Sequence, residues 1–202
     1  MFTGIIENVA KISKITPEGS NLHFDVESSL ASELKIDQSV AHDGCCLTVV
    51  ALHGPQDAPT GYQVTAIAET LQRTTLATWS IGRTVNMERC TVAGGRLDGH
   101  VVQGHVDAAG YVTKILDQNG SWVLHVEHPA SSDHVTVPKG SIAINGTSLT
   151  VVEATPTSFS VALIPYTWEH TNFHLLKVGD PVNLEFDILG KYIARLLGQR
   201  GG

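Results

Sequence analysis

Ser39-Val40-Ala41-His42-Asp43-Gly44-Cys45-Cys46-Leu47-Thr48-Val49-Val50 returns as Ser141-Ile142-Ala143-Ile144-Asn145-Gly146-Thr147-Ser148-Leu149-Thr150-Val151-Val152, an offset of 102 with seven of twelve positions identical. Further along, Val64, Ile67, Thr70, Thr74, Gly82, Val85, Asn86 and Glu88 recur as Val161, Ile164, Thr167, Thr171, Gly179, Val182, Asn183 and Glu185, at an offset of 97. Upstream, Gly4-Ile5-Ile6-Glu7 lies opposite Gly104-His105-Val106-Asp107 at an offset of 100. Three blocks in unchanged order, with a period near one hundred residues, mark a duplicated domain and not a solenoid of short repeats.

Each copy has one texture. An opening strand runs over Ile6 to Ile15, or Val106 to Ile115, followed by an alternating strand, Leu22 to Val26 or Trp122 to Val126. The Gly44 and Gly146 turns feed buried strands at Leu47 to Leu52 and Leu149 to Val152. Gln63 to Ala68 or Ser158 to Ile164 follows, then a threonine-rich segment, then Thr84 to Glu88 or Pro181 to Phe186. About six short strands per hundred residues predict a mainly β fold: two tandem six-stranded antiparallel Greek-key barrels. The expected division is an N-terminal barrel over 1–93, a linker over 94–99 at Gly94-Gly95, a C-terminal barrel over 100–186, and a helix and tail over 187–202. Asp187 suits a helix cap, and Ile188, Leu189, Tyr192, Ile193, Leu196 and Leu197 form an apolar stripe. A helix of about eleven residues is marginal alone in water, so this stripe packs either on the barrels or on another copy.

The 202 residues carry 42% apolar and 16% charged residues, enough for a core and unlike a disordered chain. A net charge of −7 without a basic run argues against nucleic acid as principal partner. No apolar stretch approaches the ~18 residues of a membrane span, and Met1-Phe2-Thr3-Gly4-Ile5-Ile6-Glu7 is no secretory leader. Cys45, Cys46 and Cys90 form neither an even set nor a C-x-x-C pair, which fits reduced thiols in the cytoplasm. Ten histidines show no metal-ligand spacing, so no metal site is expected.

The quoted blocks resemble one family, the single-chain, two-barrel riboflavin synthases. Met1-Phe2-Thr3-Gly4-Ile5-Ile6-Glu7, Gly44-Cys45-Cys46-Leu47-Thr48-Val49 and Gly99-His100-Val101-Val102-Gln103-Gly104-His105-Val106-Asp107 carry the likeness. So do Ser148-Leu149-Thr150-Val151, Leu163-Ile164-Pro165-Tyr166-Thr167 and Phe186-Asp187-Ile188-Leu189-Gly190-Lys191-Tyr192. The resemblance implies a dismutation of two 6,7-dimethyl-8-ribityllumazine molecules by four-carbon transfer, giving riboflavin and 5-amino-6-ribitylamino-pyrimidinedione. It further implies a homotrimer built on the C-terminal helix, no cofactor, and sites between the N-barrel of one subunit and the C-barrel of the next. Asn145 stands where some relatives carry aspartate, and Asp98 where glycine is expected.

A reaction between two copies of one substrate needs two similar pockets with different duties, so positions where the copies diverge are informative. Ile5 faces His105, His42 faces Ile144, Cys46 faces Ser148, and Glu69 faces Tyr166. His105 is the first candidate for proton transfer, because imidazole titrates near neutral pH. His100 lies nearer the joint between barrels and has a weaker case. Cys46 and Ser148 are candidates for adding to, or polarising, a ring carbon; Cys45, on the opposite face of the same strand, reads as structural. The resemblance implies that the shared Thr48 and Thr150 hydrogen-bond the ring systems, with main-chain groups of Thr65-Ala66-Ile67 and Ala162-Leu163-Ile164 on equivalent edges. By resemblance the binding set also takes in Phe2, Gly4, Ile5, Ile6, Ser39, Leu47, Gly104, Val106, Lys139, Leu149, Pro165, Tyr166 and Thr167. Asp187 joins the catalytic set in the same way. Phe2 either covers the site or anchors the N-terminus in the core.

Three other classes compete, one of them a purely structural tandem barrel, which would show repeats identical in their pockets where these diverge. A non-catalytic lumazine or flavin binder would show one degraded pocket, whereas His105, Ser148 and Thr150 are all present. A flavin reductase would need a nicotinamide-binding G-x-G-x-x-G after a strand, and none occurs.

Overall fold

A computed structural model describes residues 1–198. The first half contains six strands: β1 (Asn8–Glu18), β2 (Asn21–Glu27), β3 (Ser39–His42), β4 (Cys45–His53), β5 (Gly61–Ala66) and β6 (Thr84–Arg89). The second repeats them as β7 (Ala108–Asp117), β8 (Trp122–Glu127), β9 (Ser141–Ile144), β10 (Thr147–Ala154), β11 (Ser158–Leu163) and β12 (Pro181–Phe186). Each set closes on itself, in the order β1-β2-β5-β4-β3-β6 and the same cyclic order from β7 to β12. Every pairing is antiparallel. Closure leaves no strand edge exposed. Bulges recur in matched places, at Ile12/Lys14 and Val112/Lys114 and again at Val49/Ala51 and Val151/Glu153, bending the strands where the barrel turns its corners.

Alternation divides each strand between the core and the outside. On β4, Cys45, Leu47 and Val49 face the core and Cys46, Thr48 and Val50 face out. On β10, Leu149 and Val151 are in the core while Ser148, Thr150 and Val152 face out. The threonine-rich segments hold short helices that strand-period reading does not signal: α1 (Ala68–Arg73) and α2 (Pro165–His170), each followed by a single 3-10 turn. Thr74 and Thr171 cap those turns, their hydroxyls accepting from the amides of Leu76 and Phe173.

The barrels meet around a local twofold axis. Asp43 and Asn145 adopt left-handed backbone (φ 45° and 44°), and the glycines that follow are left-handed too. A side chain on Gly44 would strike the Gly146 amide at 2.7 Å, and one on Gly146 would strike the Gly44 amide at 2.7 Å. The two turns therefore stand back to back, and only glycine fits at either.

A buried polar network surrounds them. Asn86 Nδ2 donates to the Asn145 carbonyl at 2.9 Å, and Asn183 Nδ2 donates to the Asp43 carbonyl at 2.8 Å. The Asn172 and Thr75 amides donate to Asn86 Oδ1 and Asn183 Oδ1, each at 2.7 Å. Asn145 is fully buried in this network, which places it in the joint and away from either barrel's outer face.

α3 (Ile188–Gly198) begins at Asp187, whose Oδ1 accepts from the Leu189 amide at 3.0 Å. Lys191 Nζ ties the helix to barrel two by donating to Asp107 at 2.7 Å. Its apolar stripe is not covered by its own barrels: Leu189, Tyr192, Ile193, Leu196 and Leu197 are all 58–66% exposed. An apolar groove of about 460 Å³ runs between the helix and Val135, Val137 and Ser141. The expected tail beyond residue 198 lies outside the described residues. Among the described residues, no helix is long and apolar enough to cross a membrane.

Candidate functional site

The segments that precede β1 and β7 cross one another before entering their barrels. Phe2 and Val102 form an antiparallel bridge, the Phe2 amide donating to Val102 at 2.7 Å and the Val102 amide to Phe2 at 3.1 Å. Beyond the crossing each segment lies on the other barrel. Cys46 on β4 donates its amide to the Gly104 carbonyl at 2.8 Å, and Ser148 on β10 donates to the Gly4 carbonyl at 2.8 Å. His105 is thereby delivered to the outer face of barrel one, beside Cys46. Gly4-Ile5-Ile6 is delivered to barrel two, beside Ser148. Contact is close enough to require glycine: a Cβ on Gly104 would lie 2.7 Å from Cys46 Cβ, and one on Gly4 would lie 2.5 Å from Ser148 Cβ.

Two buried carboxylates hold the crossing segments, and sequence reading assigned them no role. Glu88 Oε1 accepts from the Thr3 amide at 2.6 Å and the Thr3 hydroxyl at 2.7 Å, and Oε2 accepts from the Gly4 amide at 2.9 Å. Glu185 accepts from the amides of Gln103 (2.6 Å), Gly104 (2.9 Å) and His105 (2.8 Å). Burial pushes both carboxyls upward, and the main-chain donors pull the other way. Their signal in the sequence is their recurrence as a pair, next to Asn86 and Asn183.

At barrel one, a cleft of about 350 Å³ is lined by Cys46, Glu69, Thr70, Arg73, Gly104 and His105, among others. The register pairing Val49 with Val64 sets Thr48 and Thr65 side by side on the outer face. The Thr65 hydroxyl is already bonded to His23 Nδ1 at 2.8 Å. Burial pushes the Cys46 thiol up, against an opposing pull from the neighbouring Ser39. Cys45, in the core, is pushed up to about 12 by burial. His105 is exposed, and among the described residues its ring has no hydrogen-bond partner.

Barrel two presents Ser148, Thr150, Ala162, Ile164 and Tyr166 in equivalent outward positions. Sequence position placed His100 at the joint, but the fold carries it onto this face. Its Nδ1 lies 2.6 Å from Ser148 Oγ. Burial lowers the proton affinity of His100, while the nearby Asp187 carboxylate raises it. Asp187 is thus both the cap of α3 and a neighbour of the Ser148 face.

Several expected side chains point elsewhere. Phe2 is 1% exposed and fills an apolar cluster between the barrels with Ala41, Val102 and Ala143, where it anchors the crossing. Leu47, Ala66, Leu149 and Leu163 point into the barrel cores by strand alternation, leaving only their main-chain groups for a ligand. Pro165 and Thr167 flank Tyr166 in α2, with the Thr167 carbonyl accepting from the Thr171 hydroxyl. Lys139 occupies a left-handed turn (φ 69°) before β9, matching Asp37 (φ 73°) in the first half, and its side chain is exposed.

The lumazine binding domain model matches residues 3–90 and 103–187, one copy on each barrel. The riboflavin synthase of Actinobacillus pleuropneumoniae is 37% identical over 198 residues, covering 98% of this chain and 90% of that one. The chain belongs to the riboflavin synthase family. As a member of that family it is an enzyme, a transferase. The riboflavin synthase of Bacillus subtilis is 34% identical over 198 residues, covering 98% of this chain and 90% of its own length. That of Mycobacterium bovis is 36% identical over 206 residues, covering both chains completely. In fold, this riboflavin synthase family member is similar to LumP complexed with riboflavin, with a TM-score of 0.83, 21% identity, and coverage of 92% and 98%. It is similarly close to LumP complexed with 6,7-dimethyl-8-(1'-D-ribityl) lumazine, with a TM-score of 0.81.

Proposed function

We propose that the chain dismutates two molecules of 6,7-dimethyl-8-ribityllumazine, one losing and one gaining a four-carbon unit, to give riboflavin and 5-amino-6-ribitylamino-pyrimidinedione. The observation that carries this reading is the pair of equivalent outer faces with unlike chemistry: Cys46 with His105 on barrel one, Ser148 with His100 on barrel two. Shared residues, Thr48 and Thr150 with the main chain after β5 and β11, suit two copies of one ring system. Unlike residues suit two different roles. Deprotonation of the acidic 7-methyl group falls to a weak base, for which the exposed His105 is placed. Holding two rings face to face supplies the larger share, since orientation alone contributes roughly 7–11 kcal/mol in favourable cases.

Each face opens to solvent on a single barrel, so stacking two substrates is completed when barrel one of one subunit meets barrel two of the next. The uncovered stripe of α3 supports a homotrimer as the assembly that brings them together. Three unpaired cysteines support work in a reducing, cytoplasmic setting.

The test is a cofactor-free incubation with 6,7-dimethyl-8-ribityllumazine, following substrate loss and riboflavin formation. Two lumazines consumed per riboflavin formed is the expected result. Tight binding without turnover points instead to a carrier of the LumP kind, and neither binding nor turnover overturns the reading.

A further inference from the structure

Three residues on the outside of barrel one form a chain of hydrogen bonds that barrel two lacks. β2 and β5 pair His23 with Thr65, and His23 Nδ1 lies 2.8 Å from Thr65 Oγ1. On the far side of the imidazole, Nε2 lies 2.9 Å from Glu18 Oε2 at the end of β1. A carboxylate only accepts, so in the neutral ring Nε2 carries the proton and Nδ1 accepts from the Thr65 hydroxyl. The Thr65 proton is thereby committed to His23, and its oxygen faces outward as an acceptor. The same register on barrel two sets Ala162 against Val123, with Gln118 in the place of Glu18. None of the three links can form there.

The difference extends a row. Ser39 pairs with Thr48, and Thr48 stands beside Thr65, so four polar side chains cross β3, β4, β5 and β2 in line. At about 4.8 Å between strands the row is about 14 Å long. Its counterpart runs Ser141, Thr150, Ala162 and Val123, polar at only two of its four positions.

We propose that His23, held by Glu18, is a positioning residue that fixes the Thr65 hydroxyl as an acceptor for the polyol chain of the ribityllumazine bound at barrel one. The inference rests on the lumazine reading above and deepens it by giving the two sites unequal grips on one substrate. Rings held face to face must keep a common register, and the residues shared by both barrels serve them. The flexible ribityl chain is the part of the molecule that two sites can hold differently. Its hydroxyls each have a proton to give to an oxygen whose own proton is engaged elsewhere. Barrel one is therefore the tighter site, and the chain, not the ring, makes it so.

The experiment titrates the intact protein with 6,7-dimethyl-8-ribityllumazine and with the analogue bearing a methyl group in place of the ribityl chain. His23→Val, which copies barrel two, is expected to weaken the ribityl compound at the tighter site about tenfold, the worth of one oriented hydrogen bond. The methyl analogue should change less than twofold. In turnover, KM should rise while kcat falls far less. Thr65→Ala should cost about as much as His23→Val, and the double variant little more, because the two act as one unit. Glu18 is 74% exposed, so Glu18→Gln tests the chain without disturbing the barrel. An amide can donate to Nε2 as well as accept from it, and a loss of about threefold confined to the ribityl compound is expected. Equal weakening of both compounds would reveal a merely structural role and overturn the proposal. Multiplicative losses in the double variant, or unchanged binding in Glu18→Gln and His23→Val, overturn it as well. An unsubstituted protein that binds neither compound overturns the lumazine reading, and this inference with it.

Discussion

Barrel one titrates at the inter-barrel turn and barrel two does not. The stretch His42-Asp43-Gly44 in the first half is Ile144-Asn145-Gly146 in the second, on the same backbone. His42 is fully buried, with Nδ1–H donating to the Val40 carbonyl at 3.1 Å and Nε2 accepting from the Tyr62 hydroxyl at 2.6 Å. Burial holds its pKa down near 4. Asp43 is equally buried, with Oδ1 accepting from Asn86 and Asn172 and Oδ2 3.7 Å from Arg83 Nη2. Burial pushes its pKa up to about 6. Duplication thus preserved geometry and released side-chain chemistry, at the joint as well as at the two outer faces.

The sharpest way to break the comparison is at the delivered tips. His105→Ala is expected to lower kcat by about 10²- to 10⁴-fold with KM nearly unchanged, the range for a lost general base. Its counterpart Ile5→Ala is expected to act mainly on KM. Steady-state kinetics on both variants decides the matter, and equal, small effects would remove His105 from proton transfer.

Next in size is the buried imidazole. His42→Ala leaves the Tyr62 hydroxyl without its 2.6 Å partner and opens a cavity, for a loss of roughly 2–4 kcal/mol. Chemical denaturation should register that loss while kcat per folded molecule stays constant. Turnover that falls in step with His105→Ala would tie His42 to the chemistry instead.

The smallest expected effect depends on pH. Native His42 refuses, between its ordinary 6.5 and about 4, a proton that the unfolded chain binds. Its contribution is therefore complete above 6.5 and lost as pH falls through that window. Native Asp43 holds, between 3.8 and about 6, a proton that the unfolded chain has released. Its contribution is present below 3.8 and lost as pH rises through about 6. Asp43→Asn keeps an oxygen for the Asn86 and Asn172 donors and removes the buried charge. It should raise stability above pH 6 by about 1–2 kcal/mol, below the ~3 kcal/mol that the shift sets as a ceiling, with the gain vanishing near pH 4. Thermal melts across pH 4–8 test this, and a pH-independent difference would show that Asp43 does not titrate there.

Two barrels of six strands each follow from the repeat, because strand alternation and turn glycines are local signals that survive in each copy. The candidate faces were legible in part: Cys46, Thr48, Ser148 and Thr150 fall on outward positions of β4 and β10 by alternation alone. The crossing of Phe2 over Val102 was not legible. It depends on glycines fitting against the opposite barrel, a long-range contact that leaves no period in the sequence. For the same reason Phe2 read equally as a cover or an anchor. His100 looked remote because its distance from Ser148 is short only once that crossing is made. Apart from the Thr3 hydroxyl on Glu88, Glu88 and Glu185 accept from main-chain amides, which almost any residue supplies, so their partners did not announce them.

The back-to-back glycines at 44 and 146 make the chain a dimer written as one polypeptide. A tether of this kind replaces association between molecules with closure inside one, at an effective concentration on the order of millimolar. It also frees the halves from having to match themselves. Two first halves related by the same axis would crowd two Asp43 carboxylates into one dry joint, while two second halves would bring together only the amides of Asn145. Covalent linkage is what lets an acid on one side of the joint be answered by an amide on the other.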